Sequence, residues 1–217
     1  MADKDLYIIG AGGFGREVAW LVERINKKEK VWNLKGFLDD NKLLHGKQEG
    51  GYPVLGGTEL LQKTDLQTWV VCAVGAAQIR KKIINKVQKN ENAKFATLID
   101  PEVVLSDRVA IGDGSIICAG SVLTVDIQIG KHVIVNLDCT IGHDACLHDF
   151  VTVYPSVNIS GYVEAEECVE LGTGTQIIQG KHIGAQTIVG AGAVVVKDLP
   201  EKCTAVGSPA KPIKYWE

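Results

Sequence analysis

The chain has 217 residues, 46% of them hydrophobic and 23% charged, enough to bury a core and ordinary for a globular protein. A net charge of -3 and a pI near 6.0 provide no basic field for a polyanion, and the clusters "NKKEK" and "IRKKIINK" fall on helix-like stretches, which argues against nucleic-acid binding. The polar start "MADKD" and the short apolar run "LYII", broken at Gly10, supply neither a signal region nor a membrane span; with six scattered cysteines read as buried reduced thiols, a cytoplasmic protein is predicted.

Residues 6 to about 98 alternate strand-like and helix-like segments: "LYIIG", "FGREVAWLVERINK", "LKGFLDD", then "TWVVCAVG", "AQIRKKIINKVQKN" and "FATLI". Strand followed by helix, repeated, predicts a small parallel sheet flanked by helices, a truncated Rossmann-like α/β domain over residues 1–100. In "IIGAGGFGRE", Gly10, Gly12 and Gly15 have the GxGxxG spacing between a strand and a helix, the context for a phosphate held by backbone N–H groups, or simply for a tight turn. Asp39 and Asp40 end the second strand, where a carboxylate can accept ribose or sugar hydroxyls. Fewer than about a hundred residues are too few for a dehydrogenase and suit a mononucleotide site.

From Leu105 the rhythm changes. Aliphatic residues recur at every sixth position, through Ile111, Ile117, Leu123 and onward to Val189 and Val195, with Ala165 the smallest of the series. Four residues after most of them stands a small or β-branched residue, among them Ser115, Cys139, Val157 and Thr187, with Lys181 a departure. Glycine often follows the aliphatic, at Gly112, Gly130, Gly142, Gly172, Gly184 and Gly190, and is expected there to form a sharp corner. Neither a helix nor a single strand has this period; a stacked repeat architecture does.

This array resembles the hexapeptide-repeat acyltransferases, which implies an all-β domain over residues 101–217: a left-handed parallel β-helix of about five triangular coils. The handedness comes with the resemblance, since crossovers are otherwise right-handed. The terminal "VGSPAK" is similar to the signature that closes the coenzyme A site in that family. It implies acetyl-CoA as cosubstrate, with Gly190, Gly207, Pro209, Ala210 and Lys211 as contacts and Lys211 meeting a phosphate.

A closer resemblance covers almost the whole chain. The succession "IIGAGGFGRE", "GFLDD", "AVGAAQIRKKI", "LIDPEVVLS" and the repeats with "IGHD" inside resembles nucleotide-sugar acetyltransferases, typified by UDP-4-amino-sugar N-acetyltransferases and sialic-acid O-acetyltransferase-like proteins. The resemblance implies a sugar nucleotide bound by Gly10, Gly13, Phe14, Gly15, Asp39, Asp40, Gly75 and Ala76. It also implies His143 as general base with Asp144 as its partner, Thr152 and Gly161 beside the acyl donor, and trimers with active sites between subunits. Three positions depart from the family: "GAA" and Phe14 replace residues that are often asparagine and histidine, and Thr152 stands where relatives often have histidine.

Histidine suits proton removal because it titrates near working pH, and a carboxylate can fix its tautomer. Neighbouring residues on a strand point to opposite faces, so Asp144 can orient His143 only at a bend, which Gly142 is expected to supply. A different reading is a γ-type zinc carbonic anhydrase, which shares this β-helix and uses histidines five apart, as His143 and His148 are. No third ligand is evident, because His132 lies off the 18-residue period and the position thirty-six before His143 is Asp107; no metal is expected. His148 receives no role and His182 reads as a surface residue. O-acetylation and a non-catalytic β-helix module complete the alternatives.

Overall fold

The computed structural model describes residues 4–62 and 67–216. The chain forms two compact units, one of residues 1–75 and 79–101, the other of residues 76–78 and 102–217. Among the described residues no helix is long and apolar enough to cross a membrane.

The first unit is built on β1 (Lys4–Ile9), whose Leu6, Ile8 and Ile9 are fully buried. Helix α1 (Gly13–Lys28) follows and buries Gly15, Val18, Ala19, Leu21 and Val22, an i, i+3, i+4 stripe facing the sheet. Lys27 and Lys28 in its last turn complement the negative end of the helix dipole. Next come β2 (Trp32–Leu38), the short β3 (Gln48–Glu49), β4 (Tyr52–Gly56), β5 (Thr68–Cys72), α2 (Ala77–Val87) and β6 (Ala93–Phe95). The sheet order is β3-β4-β2-β1-β5-β6, with every pairing parallel except β3 with β4. The β3–β4 hairpin lies in a stretch to which the sequence rhythm assigns no strand.

The second unit is a left-handed parallel β-helix. Five full coils of three short strands stack from Val104 to Val189, and a sixth begins at Val194. Paired residues are eighteen apart, as in Val122 with Thr140, Gln128 with Cys146 and Ile134 with Thr152. One ladder of aliphatics runs Ile117, Val135, Val153, Leu171, Val189, and all of them are buried. Each buried side chain of this class contributes roughly 1.5–3 kcal/mol, which is why the six-residue period is so regular. In the first coil Leu105 and Ile111 lose this cover. Where the second inward position is polar, its hydroxyl is satisfied: Ser115 Oγ donates to the Gly130 carbonyl and Ser121 Oγ to that of Asn136, each at 2.9 Å.

The corners differ from the sequence expectation. Every sixth residue from Gly114 to Gly192 is left-handed, with φ between 55° and 77°, and most of these are not glycine: Asp126, His132, Asp144, Phe150 and Tyr162 are among them. A left-handed conformation costs a residue with a Cβ roughly 1–2 kcal/mol. A hydrogen bond to the preceding coil offsets it, as when the His132 N–H donates to the Asp113 carbonyl and the Tyr162 N–H to that of His143, both at 2.9 Å. The glycines that follow the aliphatics have no positive φ. A Cβ on Gly142 would come within 2.7 Å of the Gly161 nitrogen, and one on Gly172 within 2.6 Å of the Ala191 nitrogen. They are glycine because the next coil passes too close, and the bend lies two residues later.

Candidate functional site

The His143 corner shows how local folding makes a dyad. Asp144 is itself the left-handed residue, at φ 58°, so its carboxylate folds back beside its neighbour instead of pointing to the opposite face. His143 Nδ1 lies 2.8 Å from Asp144 Oδ2, and both side chains are partly exposed. The bend is thus made by Asp144 and not by Gly142. Gly161, one coil on, lies against the imidazole: a Cβ there would sit 2.5 Å from His143 Cε1 and 2.6 Å from Nε2. The Tyr162 ring stands edge-on to the imidazole, with centroids 5.1 Å apart and planes at 86°. Among the described residues neither His143 Nε2 nor the Gly161 N–H has a protein hydrogen-bond partner.

Beside the dyad opens a groove of about 360 Å³ lined by Asp126, Gln128, Asp144, Ala145, Cys146, Tyr162, Val163 and Glu164. Its three carboxylates give it a negative field that favours a cationic group. Burial and the Glu164 charge raise the Cys146 thiol above its ordinary pKa, so it is a poor nucleophile. His148 does not converge with His143; its Nε2 pairs with Glu164 Oε1 at 2.9 Å, and His182 Nε2 pairs with Glu166 Oε1 at 3.0 Å. Among the described residues no three histidine, cysteine or carboxylate side chains form a group that could hold a metal ion.

The residues expected to meet the cofactor divide. Gly207, at φ 99°, and Ala210 are clipped to Val194: the Val194 N–H donates to the Gly207 carbonyl at 3.0 Å, and the Ala210 N–H donates to the Val194 carbonyl at 2.8 Å. Pro209 and Lys211 are exposed on that turn, and Gly190 lies against Val206 leading into it. Thr152 is buried on its strand.

In the first unit a cleft of about 350 Å³ is lined by Ile9, Gly10, Leu38, Asp39, Asp40, Thr58, Val74, Ile79, Lys82, Ile83 and Lys86. Gly10, Asp39 and Asp40 line it, and Gly13, Phe14, Gly15, Gly75 and Ala76 do not. Gly15 packs instead on the carbonyl of Gly10, where any Cβ would collide, so its role is helix-to-strand contact. Asp39 is occupied in part, since Oδ2 accepts from the Ala11 N–H at 2.9 Å and Oδ1 from the Asn41 N–H at 2.8 Å. Asp40 Oδ1 accepts from the Thr58 N–H and hydroxyl. Sequence reading missed Lys82 and Lys86, which with Ile79 and Ile83 form an i, i+3, i+4, i+7 stripe on α2; that spacing was the available signal. It also missed Arg80, 1% exposed, which donates to the Val74 and Gly75 carbonyls at 2.6 and 2.9 Å and fixes the turn after β5. A larger depression of about 540 Å³ past the C-terminal end of α2, lined by Lys86, Lys89, Asn90, Glu91 and Asn92, holds none of the expected residues.

A hexapeptide β-helix bearing a histidine–carboxylate dyad at a corner, preceded by a small nucleotide-type α/β unit, defines a hexapeptide-repeat acyltransferase. Known proteins sharpen this. Residues 5–87 match the family model of the PglD N-terminal domain. The chain is 31% identical over 214 residues to GDP-perosamine N-acetyltransferase of Escherichia coli O157:H7, covering 95% of each. It superposes on the acetyltransferase domain of PglB from Neisseria gonorrhoeae FA1090 with a TM-score of 0.90 at 34% identity, over 97% of this chain and 100% of that one. A mutant perosamine N-acetyltransferase from Caulobacter crescentus, solved with CoA and GDP-perosamine, gives 0.88 at 30% identity and 98% coverage of both. The chain belongs to the hexapeptide-repeat nucleotide-sugar N-acetyltransferases.

Proposed function

We propose that this protein transfers the acetyl group of acetyl-CoA to the amino group of a nucleotide-linked 4-amino sugar, with His143 as general base. The observation that carries this reading is the 2.8 Å contact of His143 Nδ1 with Asp144, which leaves Nε2 open on the corner next to the acidic groove. The Asp144 carboxylate holds the proton on Nδ1, so the Nε2 lone pair is available. The groove favours approach of the acceptor as its ammonium form, which releases one proton to solvent before it can attack, leaving Nε2 free for the second.

The amine nitrogen then bonds to the thioester carbon while Nε2 takes its second proton. The Gly161 N–H is the candidate donor to the oxygen that becomes negative. Collapse of the tetrahedral species breaks the carbon–sulfur bond, and the departing thiolate takes the proton back from the imidazolium. No covalent enzyme intermediate is needed.

Gly10, Asp39 and Asp40 bind the nucleotide sugar in the cleft of the first unit, where Lys82 and Lys86 add positive charge for the diphosphate. The turn Gly207–Lys211 with Gly190 receives coenzyme A, and the exposed Lys211 meets one of its phosphates. The family resemblance implies a UDP-type sugar and leaves the base open; two of the relatives above are named for, or were solved with, GDP-perosamine, so both nucleotides belong in the assay. The protein works as a homotrimer with active sites between subunits, in the cytoplasm, where thiols stay reduced.

His143→Asn tests the base. Turnover, read as thiol release from acetyl-CoA, falls by roughly 10²- to 10⁴-fold, while calorimetric binding of CoA is kept. Wild-type turnover in the variant would remove His143 from the chemistry.

A further inference from the structure

We propose that Tyr162 is a positioning residue that holds the His143 imidazole in its catalytic orientation. The inference rests on the reading of His143 as the base. Four contacts define that orientation. Asp144 takes Nδ1 at 2.8 Å. Gly161 lies against the ring with no side chain. The His143 carbonyl is fixed by the Tyr162 N–H at 2.9 Å. The Tyr162 ring stands at right angles to the imidazole, 5.1 Å away.

The first contact is weak as a restraint, because His143 and Asp144 side chains are 47% and 39% exposed, and an exposed pair is screened by water. Gly161 limits approach from one side only. The perpendicular tyrosine ring is the remaining wall, in the edge-to-face arrangement that aromatic pairs prefer. Tyr162 is itself 56% exposed, so burial in the core does not account for its ring, and its left-handed φ of 58° is the one that every corner of the coil adopts. Its ring therefore serves the neighbouring imidazole rather than the hydrophobic core.

An edge-to-face contact of this kind biases an orientation by roughly 2- to 10-fold, and kcat follows the population of competent imidazole. The discriminating variant is Tyr162→Asn, since asparagine accepts the left-handed corner and removes the ring without backbone strain. With acetyl-CoA and a nucleotide 4-amino sugar, kcat falls about fivefold, both KM values stay within about twofold, and the melting temperature is kept. Tyr162→Phe, which keeps the ring, restores kcat. Wild-type kcat in Tyr162→Asn overturns the proposal. So does a rise in KM alone, which makes Tyr162 a substrate contact, or an equal loss in Tyr162→Phe, which assigns the effect to the hydroxyl. His143→Asn run alongside separates the two claims: if it is inactive while Tyr162→Asn is normal, only the positioning role fails, and if it is active, the base assignment fails first.

Discussion

Adding one methyl group at Gly161 should damage catalysis and leave the fold nearly untouched. In Gly161→Ala the new Cβ would lie 2.5 Å from His143 Cε1, 2.6 Å from Nε2 and 2.9 Å from Nδ1. Non-bonded carbons rest at about 3.5–4.0 Å, so the imidazole must withdraw by about 1 Å. It is the free end of a partly exposed side chain, and no backbone atom is among the nearest contacts, so the ring can move at little cost. Gly161 has no positive φ, so alanine adds no backbone strain. A 1 Å displacement of a reacting group costs on the order of 10²-fold in rate. The Gly161 N–H stays in place, which separates loss of the base from loss of the oxyanion donor. Steady-state thiol release should thus show kcat lowered about 100-fold, with a melting curve within about 1 kcal/mol of wild type. Gly174→Ala is the control: its φ of 71° makes alanine strained while nothing lies within 4 Å of the added atom, so stability falls and kcat does not. Wild-type kcat in Gly161→Ala would refute the placement of His143 against this glycine.

Asp144→Asn keeps the left-handed corner but removes the charge from His143 Nδ1, and kcat should fall on the order of 10-fold, less than removal of the base itself costs. Arg80→Met leaves the Val74 and Gly75 carbonyls without these donors; denaturant melts should report a loss of about 2–3 kcal/mol. Lys82→Met should raise KM for the nucleotide sugar about fivefold and leave that for acetyl-CoA unchanged, as judged by varying each substrate in turn. The Ala185 N–H, and after it His182, hold the Glu166 carboxyl below its ordinary value. A depressed carboxylate contributes stability above the unfolded value of 4.5 and loses it as pH falls through the folded value. The melting-temperature gap between wild type and Glu166→Gln should therefore be present at pH 7 and close below pH 4.5.

The β-helix was legible because each hexapeptide buries the same kind of side chain at the same place, so Ile117, Val135, Val153, Leu171 and Val189 mark one ladder in the sequence itself. The corners were not. Left-handed backbone at Phe150, Tyr162 and Cys168 is held by hydrogen bonds that their N–H groups donate to carbonyls of the preceding coil, a non-local cause that these residue types do not signal. The glycines drew attention to the wrong position, since Gly142 records the close passage of Gly161 nineteen residues on. The dyad was visible as adjacent letters, but its geometry depends on Asp144 being left-handed. In the first unit Gly10, Asp39 and Asp40 could be read as a cleft, whereas Lys82 and Lys86 were hidden in an ordinary amphipathic pattern whose partner surface only the fold supplies.

Acceptor dependence of thiol release tests the central claim most directly. Acetyl-CoA is supplied with matched nucleotide sugars, GDP- and UDP-linked, carrying either a 4-amino or a 4-hydroxy group, and the product is followed by mass spectrometry. Release only with an amino sugar, with the acetyl group recovered on nitrogen and turnover lost in His143→Asn, is the predicted result. Equal release with the hydroxy sugars, or turnover that survives the loss of His143, would contradict it.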